Sequence, residues 1–157
     1  MTMATRLAVP HDASFLFLLY ADTRKSEVDS WGWAEEQRKL FLEMQFNAQR
    51  SYYFLSNVST LEKIVTLEEE SIGRVVTREH DGILTIVDVS LLSEFQNRGL
   101  GTELICCYQD YAINNKLSIQ LHLVKENRAY NLYKKLGFVI TGESYPYIAM
   151  EWNPLVM

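Results

Sequence analysis

With 157 residues, 48% of them hydrophobic and 12% aromatic, the chain has apolar surface for one sizeable core and too little length for two packed domains. A single domain over residues 1–157 is expected, and its net charge of −5 excludes a protein that grips nucleic acid over its general surface. The longest unbroken apolar run, residues 15–21, is far short of the roughly 20 residues that cross a bilayer, and the first residues lack the basic-then-apolar order of a secretory signal, so a cytoplasmic protein without a membrane partner is expected.

In chain order, residues 5–9 predict a short strand that ends at Pro10. Asp12 is then expected to cap a helix over residues 13–24, whose Phe15, Leu16, Leu18 and Leu19 cover more than one face and predict extensive burial. Residues 25–34, with Glu27, Asp29, Trp31, Gly32 and Trp33, read as a loop. A helix follows over residues 35–49, with Leu40, Phe41, Met44 and Ala48 as its expected core stripe. The period then changes: residues 63–67 and 72–77 are β-rich runs around a polar turn at 68–71, and His80-Asp81-Gly82 supplies a second turn before a strand at 83–91.

From residue 99 to about 115, Leu100, Leu104, Cys107, Tyr108, Tyr111 and Ala112 recur at helical spacing, and residues 118–124 alternate as a strand. Strand, helix and strand imply a right-handed crossover with those two strands parallel. Residues 128–136 predict a short helix stopped by Gly137, residues 138–140 begin a strand, and residues 147–152 close the sheet. The adjacent Cys106 and Cys107 are expected as reduced core thiols. No C-x-x-C or histidine at ligand spacing accompanies them, so no metal is expected. The result is an α/β domain with a mixed sheet and helices on both faces.

Chemistry concentrates between the strand that holds Asp88 and the following helix. Gly99 and Gly101 keep side chains away from a helix start whose free N–H groups and dipole favour an anion, which makes residues 96–102 a pyrophosphate-type cradle. A Walker loop needs G-x-x-x-x-G-K-[ST], and a dinucleotide fingerprint needs a third glycine where Leu104 stands; both fail. Arg98, Lys125, Arg128 and Lys134 place positive charge near this segment of an acidic protein.

Gln96, Gly99 and Gly101 reproduce the Q/R-x-x-G-x-G/A signature, and Asn127, Tyr133 and Gly137-Phe138 match the N-x-x-A-x-x-L-Y-x-x-x-G-F segment, with Ala129 one residue early. On these motifs the chain resembles the GNAT family of N-acetyltransferases, from about Arg6 to Trp152. The resemblance implies a single-domain GNAT-like fold, mostly antiparallel with a central parallel strand pair. It also implies acetyl-CoA between those strands, its pyrophosphate on Gln96, Asn97, Arg98, Gly99, Leu100, Gly101 and Thr102. Val89, Ser90 and Leu91 would meet the pantetheine through their backbone, with Asn127 and Tyr133 beside the cofactor. Ser93 stands where relatives often carry proline.

Acyl transfer needs a neutral amine, although a lysine-like amine has a pKa near 10.4. His122 is a candidate base, because some relatives carry a catalytic glutamate at its place and imidazole titrates near neutrality. Asp88, in the apolar run of residues 86–89, needs a partner or a raised pKa; it orients His122, serves as base, or bonds to backbone. Tyr133 occupies the position of the family's general acid. Glu27, Trp31 and Trp33, with Tyr145 in the Tyr145-Pro146-Tyr147 segment, are expected to wall the acceptor side. Carboxylates and aromatics there fit a cationic amine, whereas the Trp pair also suits packing or a homodimer contact. The expected activity is acetyl-CoA-dependent acetylation of a small-molecule or peptide amine; a non-catalytic acyl-CoA sensor is the alternative.

Overall fold

The computed structural model describes residues 2–54 and 59–156. Chain order runs β1 (Met3–Leu7), α1 (Ala13–Asp29), α2 (Glu35–Phe54), β2 (Thr60–Leu67), β3 (Glu70–His80), β4 (Ile83–Leu91), α3 (Leu100–Asn114), β5 (Ser118–Val124), α4 (Ala129–Lys135), β6 (Val139–Ser144) and β7 (Tyr147–Trp152). This is the alternation that the hydrophobic periods and turn residues predict. The strands form one sheet in the order β1-β2-β3-β4-β5-β7-β6, antiparallel throughout except for the β4–β5 pair.

Alternation along β2 and β3 sends neighbouring residues to opposite faces, and each face finds its own helices. Ile64 packs with Leu16, Tyr20, Val28, Leu42 and Phe46 of α1 and α2. Its neighbour Val65 packs with Ile72, Val75 and the α3 residues Leu100 and Leu104 on the other side. A third cluster joins α3 and α4 to β4, β5 and β7 through Ile105, Tyr133, Ile86, Leu121 and Met150. The helices therefore lie on both faces, as expected.

Several local expectations are corrected. Helix α1 runs to Asp29 rather than Arg24, because nothing before Gly32 breaks the helix and Val28 is fully buried against α2. Helix α2 turns Leu42 and Phe46 inward and leaves Leu40, Met44 and Ala48 exposed, so its core stripe is displaced from the expected one. The apolar residues lie on both faces, and contact with α1 decides between them. In α3, Cys107 is exposed and Cys106 half-buried; both thiols are free, and neither is a core residue as expected.

Asp12 does not cap α1 with its side chain. Its carboxylate accepts the Val9 N–H at 2.8 Å and both Arg6 Nη groups at 2.8 Å, closing the turn that precedes α1. The Arg6 hydrogen bond, reinforced by the Val9 N–H, lowers its pKa to about 2. A carboxylate depressed in the folded state stabilises the fold above its unfolded pKa near 3.9 and loses that contribution as the pH falls toward 2. We therefore expect Asp12→Asn to lower stability at pH 7 by about 1 kcal/mol and to flatten the loss between pH 4 and pH 2. Thermal unfolding of both proteins across that range measures it.

Candidate active site

β4 and β5 pair in parallel over only four positions, from Ile83 with Ser118 to Ile86 with Leu121. Just beyond, Val87 has no partner in β3, where Thr77 faces Ile86 and Val76 faces Asp88. This bulge bends β4 away from β5. Val89, Ser90 and Leu91 stay bonded to β3, residues 122–124 stay bonded to β7, and a wedge opens between the two arms. Along the wedge, residues 89–91 keep one backbone edge without a strand partner. Gly73 makes this arm possible: a Cβ there would overlap the Ser90 carbonyl.

The expected cradle lies at the mouth of the wedge. Asn97 and Gly99 both adopt positive φ, +61° and +79°, conformations that asparagine and glycine tolerate best. The turn they make aims the chain into α3, whose first backbone bond runs from the Glu103 N–H to the Gly99 carbonyl. The N–H groups of Leu100, Gly101 and Thr102 therefore have no intrahelical acceptor. A Cβ built on Gly101 meets nothing within 4 Å, so this open space is kept by the glycine rather than filled by protein. Gln96 Nε2 donates to the Leu91 carbonyl at 2.9 Å, and Arg128 donates to Asn97 Oδ1 at 2.7 Å, tying the loop to β4 and to the start of α4. Arg98 stacks on Phe95. Asn127 uses its Oδ1 to accept the Ala129 N–H, which starts α4.

Tyr133 projects from α4 into the core, its ring edge-on to Phe138 at 5.3 Å. Burial, reinforced by the negative charge of Asp88, pushes its phenol up to about 12. His122 is exposed and lies on the α1/α2 face of β5, opposite Leu121 and Leu123. It stands just past the last parallel pair, as Asp88 does after the bulge. The two are not hydrogen-bonded, so Asp88 does not orient His122. Instead Asp88 Oδ2 accepts from Arg74 Nη2 and, at 3.2 Å, from the Ser90 hydroxyl.

Arg74 is the centre of a charge network. Its side chain is only 4% exposed, and it reaches Glu62 at 3.4 Å as well as Asp88, while Glu62 also accepts from Arg50 at 2.6 Å. Two cations and two anions thus alternate from α2 through β2 and β3 to β4. None of Arg74, Glu62 or Gln49, whose Oε1 takes a further bond from Arg74, figures in the sequence reading. The signal was present as charges at Glu62, Arg74 and Asp88 inside strands that are otherwise rich in apolar residues.

The expected acceptor wall does not assemble. Trp31 and Trp33 pack against each other at a tilt and edge-on against Phe41, with ring centroids 5.1 to 5.5 Å apart, closing the α1–α2 turn as a local cluster. Glu27 is exposed near the end of α1, and Tyr145 is 91% exposed at the β6–β7 turn. None of them lines the cavity beside Asp88. Asp22 of α1 instead reaches the cradle side, accepting the Ser93 N–H and hydroxyl at 2.8 Å each.

The sequence model for the acetyltransferase (GNAT) domain matches residues 59–140, just over half the chain. Among solved structures, the chain is similar to the aminoglycoside acetyltransferase AAC(6')-Ib in complex with ribostamycin and coenzyme A, at 23% identity and a TM-score of 0.73, covering 99% of this chain and 95% of that one. The PaiA N-acetyltransferase of Thermoplasma acidophilum, in complex with coenzyme A, is similar at 15% identity and a TM-score of 0.73 over 98% and 99% of the two chains. The spermidine N-acetyltransferase of Vibrio cholerae, with CoA and spermine, is similar at 22% identity and a TM-score of 0.65 over 96% and 95%.

Removing Arg74 takes from Asp88 its ion-pair partner and leaves the buried Glu62 with Arg50 alone. Arg74→Ala is expected to cost about 3–5 kcal/mol, the usual cost of breaking a buried ion pair from one side. Urea unfolding checks this; a loss below about 1 kcal/mol would show that water already screens the network.

Proposed function

The chain belongs to the GNAT acetyltransferase family, and on that premise we propose that it is an acetyl-CoA-dependent N-acetyltransferase acting on a primary amine of a small molecule or peptide by direct attack in a ternary complex. The observation that carries this reading is the wedge between β4 and β5 with an anion cradle at its mouth. Neutral N–H donors at a helix start suit a diphosphate, and the unpaired edge of residues 89–91 suits the amide-bearing pantetheine, which bonds there as a further strand. The open space at Gly101 matches a phosphate.

The transfer balances as an amine and a thioester giving an amide and a thiol: an N–C bond forms, the C–S bond breaks, and the proton lost by the amine equals the one gained by sulfur. Among residues 89–91, a backbone N–H that points into the wedge polarises the acetyl carbonyl. His122, exposed on the acceptor face beside the apex of the wedge, takes the amine's proton directly or through water.

Tyr133 faces the leaving sulfur. With its pKa near 12 the hydroxyl is protonated at every working pH, and full transfer to a thiolate of pKa near 8.5 would run uphill. Its part is therefore to donate a hydrogen bond that grows stronger as charge develops on sulfur. Because the phenol is half-deprotonated only near pH 12, Tyr133 imposes no fall in rate as the pH rises through 9.

Calorimetry with CoA, acetyl-CoA and ATP, followed by thiol release over an amine panel, tests the reading. CoA binding without turnover on any amine would favour a sensor. Gly101→Val keeps the fold, since the added atoms meet no protein neighbour within 4 Å at Cβ, and is expected to lose CoA affinity by 100-fold or more, on the order of 3 kcal/mol. Unchanged affinity in a folded Gly101→Val protein would remove the cradle assignment. Tyr133→Phe is expected to lower kcat about 100-fold with little change in KM for acetyl-CoA; parental turnover would show that thiolate departure needs no donor.

A further inference from the structure

A small cavity of 70 Å³ lies on the α1/α2 face of the wedge, walled by Tyr20 and Arg24 of α1, Gln49 of α2, Arg74 of β3, and Asp88 and Ser90 of β4. At well under the roughly 300–1,000 Å³ of a pocket for a whole drug-sized ligand, it admits a head group and leaves the rest of the acceptor outside. Its polar atoms are unevenly satisfied. Both bonds to Asp88 fall on Oδ2, which leaves Oδ1 without a hydrogen-bond partner among the described residues. Arg74 Nε is buried and also unpartnered, on a side chain 96% buried. Gln49 spends its Oε1 on Arg74 and keeps its amide N–H groups. Arg24 stacks on the Tyr20 ring at 4.5 Å and forms no ion pair among the described residues.

The walls therefore offer one carboxylate oxygen on the β4 side, the Arg24 guanidinium on the α1 side and the Gln49 amide on the α2 side, with the positive charge of Arg74 behind them. Glu62 does not alter this balance, because Arg50 compensates it on the far side of Arg74. A polyamine would meet two guanidiniums and one carboxylate that is already paired. An acceptor with both signs close together meets a partner for each.

Resting on the acetyltransferase reading above, we propose that the acceptor is a zwitterionic α-amino acid: its ammonium group bonds to Asp88 Oδ1, and its carboxylate is held by Arg24 with help from Gln49. Its side chain points out of the cavity. Asp88 stands immediately before Val89, so an amine on Oδ1 lies next to the backbone segment assigned to the acetyl carbonyl. Arg24 is a specificity residue in this scheme and takes no part in proton transfer.

The test compares amino acids with the same molecules lacking the carboxylate, as 2-aminobutyrate with propylamine and methionine with 3-(methylthio)propylamine, alongside spermidine. Each kcat/KM is expressed per unprotonated amine, so that the difference in ionisation drops out; the remaining difference in nucleophilicity favours the more basic propylamine and so works against the expected result. The carboxylate-bearing member is expected to be better by roughly 10- to 100-fold, the worth of a charge-assisted hydrogen-bond pair. Arg24→Gln should lower that ratio at least tenfold, with Arg24→Lys restoring part of it. Calorimetry adds a readout without turnover: 2-aminobutyrate should bind the CoA complex of the parent and bind at least tenfold more weakly to that of Arg24→Gln. Preference for propylamine or spermidine, or a ratio untouched by Arg24→Gln, overturns the zwitterion assignment and leaves the transferase intact. CoA binding with no thiol release from any acceptor overturns both.

Discussion

Val87 is one residue too many for the ladder between β3 and β4, and the arrangement of the cleft depends on where that surplus falls. Up to Ile86, β4 is held on both sides, by β3 and by β5; after the bulge it can satisfy only β3. The strand must then choose a partner, and the long antiparallel ladder outweighs a parallel one of four pairs. The freed backbone edge of residues 89–91 is what turns a continuous sheet into an open cleft. The same extra residue resets which face each later side chain occupies. Asp88 and Ser90 join Arg74 on the α1/α2 face, while Val89 joins the α3 core.

Around the apex the two faces of the sheet have different characters. On the α3/α4 side, Tyr133 is enclosed by aromatic and aliphatic neighbours, and its hydroxyl is kept neutral by burial and by Asp88 across the sheet. On the α1/α2 side, alternating guanidiniums and carboxylates cross three elements to reach the same point. A leaving group met from the first side and a nucleophile met from the second would each find the polarity it needs. The Arg74 network carries this charge pattern to the apex, with Arg74 and Glu62 buried at its middle and Arg50 and Asp88 partly exposed at its ends.

Element order was legible in the sequence because the hydrophobic period changes cleanly from helix to strand and because Gly82, Gly99 and Gly137 punctuate it. The cradle was legible for a different reason: its parts lie within seven consecutive residues, so local backbone chemistry suffices. What stayed hidden was everything set by register. Glu62, Arg74 and Asp88 are 12 and 14 residues apart, and only strand pairing with a bulge places them side by side. Leu40, Phe41, Leu42, Met44 and Phe46 surround α2, so periodicity could not choose its buried face; contact with α1 does. Asp12 had the right type and place for a cap, but Arg6 across the turn offered it a stronger, charged partner.

The bond from Arg128 to Asn97 Oδ1 spans the mouth of the wedge, from the start of α4 to a residue held at positive φ. Its consequence is thermodynamic. A loop that had to leave a relaxed conformation on meeting its ligand would charge that ordering against affinity. Here the left-handed asparagine is already locked by a neighbour, so the ordering cost falls at folding and not at association. On the proposed reading, a cradle held this way would take up a diphosphate with a smaller entropic penalty than a loop that must order on association.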